Sequence, residues 1–126
     1  MTNKKTPQFS EFSKNNLSTC HEKLQLIFNL VINEYDCRVL CGFRNKEEQN
    51  KAYTNGYSTL KWPKSRHNTF PSMAVDVVPY PVDWDNTDRF IELSKIVKRI
   101  ANELEINIQW GGDWKTFKDF PHWELL

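Results

Sequence analysis

The segment Met73-Ala74-Val75-Asp76-Val77-Val78 does most to restrict the folds open to this chain. Its β-branched, apolar composition, followed by Pro79, reads as a buried strand. Near its centre stands the carboxylate of Asp76. A carboxylate held among such neighbours is costly without a partner, so the fold must supply a counter-charge or a metal.

The search for that partner narrows quickly. The chain has no G-x-S-x-G, no phosphate-cradling glycine loop and no H-E-x-x-H. It has three histidines, and two sit in unusual neighbourhoods. His67 lies in a Ser/Asn/Pro-rich stretch nine residues before Asp76, and His122 lies between Pro121 and Trp123 close to the last residue. Two histidines, one carboxylate and a water suit a tetrahedral zinc site with an open position. Such an ion lowers the pKa of its water to about 7 and polarises a carbonyl. Asp119, three residues before His122, is placed to serve as the base. Spacing alone leaves the bland alternative open: a salt-bridged Asp76 and two histidines satisfied within the core or surface.

Around these residues the periodicities predict a mixed chain. Residues 1–17 are rich in Lys, Asn, Ser and Thr and read as a flexible N-terminal arm, pinned by Phe9 and Phe12. Residues 18–126 read as one domain. A first helix is expected from Ser18 or Thr19, with Thr19 and Glu22 at capping-box spacing and Leu24, Ile27, Leu30 and Val31 forming its apolar stripe. His21 in its first turn reads as a surface residue. A strand at 37–42 follows, then a helix from Asn45 to about Asn55 stopped by Gly56, then a long loop over 57–71. After the Asp76 strand come a turn at 79–86, an amphipathic helix over 85–105, a strand at 107–110, a Gly111-Gly112 turn and a final extended piece at 121–125. Helices and short strands without regular alternation give an α+β class, a small antiparallel sheet with flanking helices.

Composition excludes other readings. A formal net charge of +1 with dispersed basic residues offers no electrostatic footprint for nucleic acid. No stretch is long and apolar enough for membrane insertion. The polar start lacks the apolar core of a secretory signal, so the chain is expected to be made in a bacterial cytoplasm. Cys20, Cys37 and Cys41 are too few for a disulfide scaffold. On one strand, Cys37 and Cys41 would lie roughly 13 Å apart, too far to bridge. All three read as reduced.

Three segments taken together resemble a known family. They are Gly42-Phe43-Arg44-Asn45 with Glu48-Gln49, Tyr53 and Gly56; Ser65-x-His67 with Ala74-x-Asp76; and Gly111-Gly112-Asp113-Trp114 with Asp119-x-Pro121-His122-Trp123-Glu124-Leu125. In this order they resemble the M15 zinc peptidases, which share a Hedgehog/DD-peptidase-like fold. The family includes D-Ala-D-Ala carboxypeptidases and the L-alanyl-D-glutamate endopeptidases used as phage endolysins. The resemblance covers about two-thirds of the chain, from residue 40 onward. It differs in a His67-to-Asp76 spacing of nine where the family usually has seven, and in Phe43 where the family has Tyr.

The resemblance implies that His67, Asp76 and His122 hold Zn2+ and that Asp119 is the catalytic acid/base. It implies that Arg44 steadies the developing oxyanion and the substrate carbonyl, and that Ser65 contacts substrate. The implied substrate is the peptidoglycan stem peptide, cut at the L-Ala–D-Glu bond by a monomeric phage-type endolysin. Such an enzyme would reach the wall after holin-type release. A D-alanyl-D-alanine carboxypeptidase or dipeptidase, and a non-catalytic metal-containing peptidoglycan-binding module, are the competing readings. Other residues keep two readings each. Trp110, Trp114 and Trp123 read as groove or core, with core favoured for at least two. Asp113 and Glu124 read as partners of a ligand histidine or as ordinary turn and strand residues. Arg44 also reads as a salt-bridge partner of Glu47 or Glu48, and Lys61, Lys64 and Arg66 read as a solvated basic loop or as attractors for stem-peptide carboxylates.

Overall fold

The computed structural model describes residues 6–126. Four helices, α1 (Glu11–Leu17), α2 (Glu22–Val31), α3 (Lys46–Thr54) and α4 (Thr87–Glu103), accompany four strands, β1 (Cys37–Cys41), β2 (Ala74–Pro79), β3 (Ile108–Trp110) and β4 (His122–Leu125). Single 3-10 turns occupy Arg66–Asn68 and Gly111–Asp113. The strands form one antiparallel sheet in the order β1-β2-β4-β3. The class is α+β, as the sequence predicts.

Side-chain alternation gives the sheet two different faces. Val75 pairs with Trp123 on one face, and Asp76 pairs with His122 on the other. The first face is core. Against Val75, Val77, Trp123 and Leu125 pack Leu24, Ile27, Phe28 and Val31 of α2 and Phe90, Leu93, Val97 and Ile100 of α4. Each such side chain contributes about 1.5–3 kcal/mol when fully buried. That sum stabilises strands of three to six residues that would not persist alone. The stripe of α2 is 24, 27, 28 and 31. Leu30, expected within it, is exposed, and Phe28 takes the inward position because i+4 lies nearer the core direction than i+6. Trp110 stacks on Trp123 at 5.8 Å, so two of the three tryptophans in question are core.

The amino-terminal reading needs correction. Residues 1–5 lie outside the described residues, but 11–17 form a helix docked on the sheet rather than an arm. Ser10 caps it by accepting from the Ser13 N–H. β1 is an edge strand, and α1 satisfies that edge: the Val39 N–H donates to Ser13 Oγ at 3.0 Å, and Asn16 Nδ2 donates to the Val39 carbonyl at 3.0 Å. Phe9 and Leu17 are buried, whereas Phe12 is exposed and pins nothing. Thr19 makes no capping box. Its hydroxyl donates to Asn16 O and accepts from the Phe43 N–H, and α2 starts later, with His21 Nδ1 accepting from the Lys23 N–H.

The helix expected from Asn45 is α3, and Asn45 and Glu48 form a capping box at its start. All three cysteines are free, and burial pushes the Cys20 and Cys37 thiols up to about 12. Two loops, 57–65 and 80–86, flank the second face of the sheet.

Candidate metal centre and active site

The site grows from β2. Asp76 projects from the face opposite the core, and its antiparallel neighbour on β4 is His122. His67 arrives from a different direction. Its 3-10 turn is capped by Ser65, whose hydroxyl accepts from the His67 N–H at 3.2 Å. The Asn68 side chain returns to the Ser65 N–H and also donates to Arg44 O and Gln49 Oε1. These bonds fix the loop, and His67 is left 2% exposed.

One ligand atom from each of His67, Asp76 and His122 lies within 4.8 Å of the others. Asp76 Oδ1 is 3.3 Å from His67 Nε2 and 3.4 Å from His122 Nδ1. The other oxygen, Oδ2, accepts from Arg44 at 2.9 Å. Among the described residues, His67 Nε2 and Asp76 Oδ1 are buried atoms without a hydrogen-bond partner. Buried polar groups are ordinarily satisfied, so two orphaned atoms facing each other mark a place for a cation. The donor set, two imidazoles and one carboxylate, fits a divalent transition ion with an open coordination position. The three side chains could together hold a metal ion.

The charges agree with this. Burial works against a charged His67, yet the Asp76 carboxylate outweighs it and raises the imidazole to about 10. Burial likewise opposes charge on His122, and Asp76 and Glu124 raise it. Burial opposes ionisation of Asp76, and the two histidines hold it well below the usual carboxylate range. Without metal, the Asp76 carboxylate favours the protonated form of both imidazoles. A divalent cation would take their place.

Asp119 sits beside the triad in the turn before β4. Its N–H donates to Gly111 O at 3.0 Å, and its carbonyl accepts from the His122 N–H at 3.2 Å. A Cβ on Gly111 would meet Asp119 O at 2.3 Å, so this approach requires glycine. Burial, then the Asp76 charge, raises the Asp119 carboxyl above its ordinary value. Arg44 is held by Gln49 Oε1 at 3.3 Å as well as by Asp76. It does not pair with Glu47 or Glu48 in the manner its bland reading supposed; Glu48 is occupied by the α3 cap.

Two depressions meet at this point and share Arg44, Tyr57 and Asp119. One holds Ser65, His67, Trp114 and His122; the other, about 300 Å3, is walled by Trp84, Phe90 and Phe120. Ser65 thus lines the site, though its hydroxyl already serves the 3-10 turn. Asp113 is bound to Lys98 at 2.7 Å and takes no part. Lys61 lies over the Tyr53 ring, away from the triad's contacts, whereas Arg66 lines the first depression.

Sequence reasoning gave no role to Gly42 or Gln49. The Gly42 carbonyl lies 2.7 Å from His67 Nδ1, a backbone contact with no side-chain signature. Gln49 is fully buried and joins Arg44, Asn68 and the Leu60 carbonyl. Its sequence signal was its place in the Glu48-Gln49 pair of the first segment that carries the resemblance.

Comparison with known proteins yields a consistent set. Residues 6–124 match the family described as phage L-alanyl-D-glutamate peptidase. The chain is 30% identical over 119 residues to the L-alanyl-D-glutamate peptidase of Escherichia phage T5, spanning 90% of this chain and 85% of that one. It is 30% identical over 104 residues to the peptidoglycan L-alanyl-D-glutamate endopeptidase CwlK of Bacillus subtilis (strain 168), spanning 68% of this chain and 58% of the relative. The crystal structure of Serratia marcescens L-Ala D-Glu endopeptidase ChiX superposes with a TM-score of 0.80 at 33% identity, covering 94% of this chain and 89% of that one.

Proposed function

The chain belongs to the phage L-alanyl-D-glutamate peptidase family, and from that premise we propose that it is a zinc metallopeptidase that hydrolyses the L-Ala–D-Glu bond of peptidoglycan stem peptides. The observation that carries the metal reading is the pair of orphaned, buried ligand atoms, His67 Nε2 and Asp76 Oδ1. His67, Asp76 and His122 would hold the ion. When bound, zinc supplies Lewis acidity toward the scissile carbonyl and toward a water.

The remaining chemistry falls to side chains. Asp119, beside the triad, takes a proton from the attacking water. The water's OH joins the acyl carbon, the C–N bond breaks, and Asp119 returns the proton to the leaving amine. Its raised pKa suits both halves of that cycle. Arg44 keeps guanidinium N–H groups beyond those given to Asp76 and Gln49, and these would stabilise charge developing on the carbonyl oxygen. Ser65 and the two depressions on either side of Asp119 and Arg44 would receive the peptide.

No helix among the described residues is long and apolar enough to cross a membrane. Action on the wall as a monomeric endolysin, after holin-type release from the host cytoplasm, completes the proposal. The test is a digest of purified peptidoglycan, with and without chelator, read by mass spectrometry. Fragments with new N-terminal glutamate, lost on chelation and restored by zinc, are expected. Released D-alanine would instead identify a carboxypeptidase, and intact wall with zinc bound would identify a non-catalytic module.

A further inference from the structure

The two histidines of the triad present different nitrogens to Asp76. His67 turns Nε2 inward, and His122 turns Nδ1 inward. Each choice needs a group that occupies the opposite nitrogen. For His67 that group is the Gly42 carbonyl, which can only accept, so Nδ1 must carry the hydrogen. For His122 it is a side chain: Glu124 Oε1 lies 2.8 Å from Nε2.

Glu124 reaches His122 because both lie on one face of β4, two residues apart. Its cross-strand neighbours are Ala74 on β2 and Gln109 on β3. Glu124 is itself braced. Its second oxygen lies 3.8 Å from Arg66 Nε, and Arg66 also donates to the Leu125 carbonyl. Arg66 immediately precedes His67, so this contact joins the loop bearing one ligand to the strand bearing another. An ordinary strand glutamate would extend into solvent; this side chain is 17% exposed.

We propose that Glu124, braced by Arg66, is the positioning residue that fixes His122 with Nδ1 toward the metal. The inference rests on the metal reading above. Groups that orient a ligand histidine typically account for 10–100-fold in metal affinity.

The test measures zinc affinity by competition with a chromophoric chelator at fixed pH, alongside the metal-free melting temperature. Glu124→Ala is expected to lose about 10–100-fold in affinity while melting like wild type without metal. Glu124→Gln, whose amide oxygen accepts the same N–H, is expected to stay within about fivefold. Long-range 1H–15N spectra of the zinc-loaded wild type are expected to show His122 with its hydrogen on Nε2. A folded Glu124→Ala protein that binds zinc as tightly as wild type overturns the inference. So does His122 with its hydrogen on Nδ1, a result that needs no variant to fold. A wild type that takes up no zinc would overturn the metal reading too, which separates the two failures.

Discussion

Asp76 uses its two oxygens differently: one answers Arg44, and the other is left for the histidines and whatever ion they share. Because that carboxylate raises His67 to about 10 and raises His122 as well, protons compete with metal at neutral pH. Raising the pH removes the competitor, so zinc affinity is expected to increase from pH 5 to pH 8, by up to about tenfold per unit for each proton displaced. Calorimetry in buffers of different ionisation enthalpy should count about one to two protons released per zinc at pH 7; no release would refute the charge assignment. Asp119→Asn is expected to lower kcat by about 10²–10⁴. Its zinc content, read by mass spectrometry of the metal, should match wild type, since Asp119 supplies no ligand atom to the triad. The residues that converge were legible in the sequence because each was chemically out of place: a carboxylate in an apolar strand, a histidine between Pro and Trp. The contact of the Gly42 carbonyl with His67 was not legible, because a carbonyl belongs to every residue and carries no side-chain signal.

At the scale of elements, α1 shows where propensity misleads. Its Lys, Asn and Ser residues read as solvated chain, yet Ser13 and Asn16 are the groups that complete the edge of β1. The helix is held by tertiary contacts, which a local reading does not contain. Leu17→Ala should therefore destabilise the protein by about 2–5 kcal/mol in urea denaturation, whereas Phe12→Ala, at an exposed position, should stay within about 0.5 kcal/mol. Equal, negligible effects would restore the flexible arm. The α3 start was legible because a capping box is local, and Asn45→Ala is expected to cost about 1 kcal/mol in the same assay. Activity should fall with it, since Arg44 and Gln49 flank that cap.

For the whole molecule, an ion held by His67, Asp76 and His122 would join segments distant in the chain: the loop at His67, β2 and β4. Zinc at about 100 times its dissociation constant should add about 2.7 kcal/mol of stability, visible as a melting temperature that falls on chelation. An unchanged melt would mean that the folded chain holds zinc no better than the unfolded one, against the metal reading. The alternation that sets Trp123 inward and His122 outward also constrains how such a protein can change over generations. One residue gained or lost within β2 or β4 would exchange core and ligands at a stroke. Length can vary only between the strands, and the interval from His67 to Asp76, two residues longer than its family's habit, does so ahead of β2. The loops bearing Tyr57 and Trp84 have the same freedom, so a lineage can remodel the walls of the cleft for a new peptide while its floor stays in register.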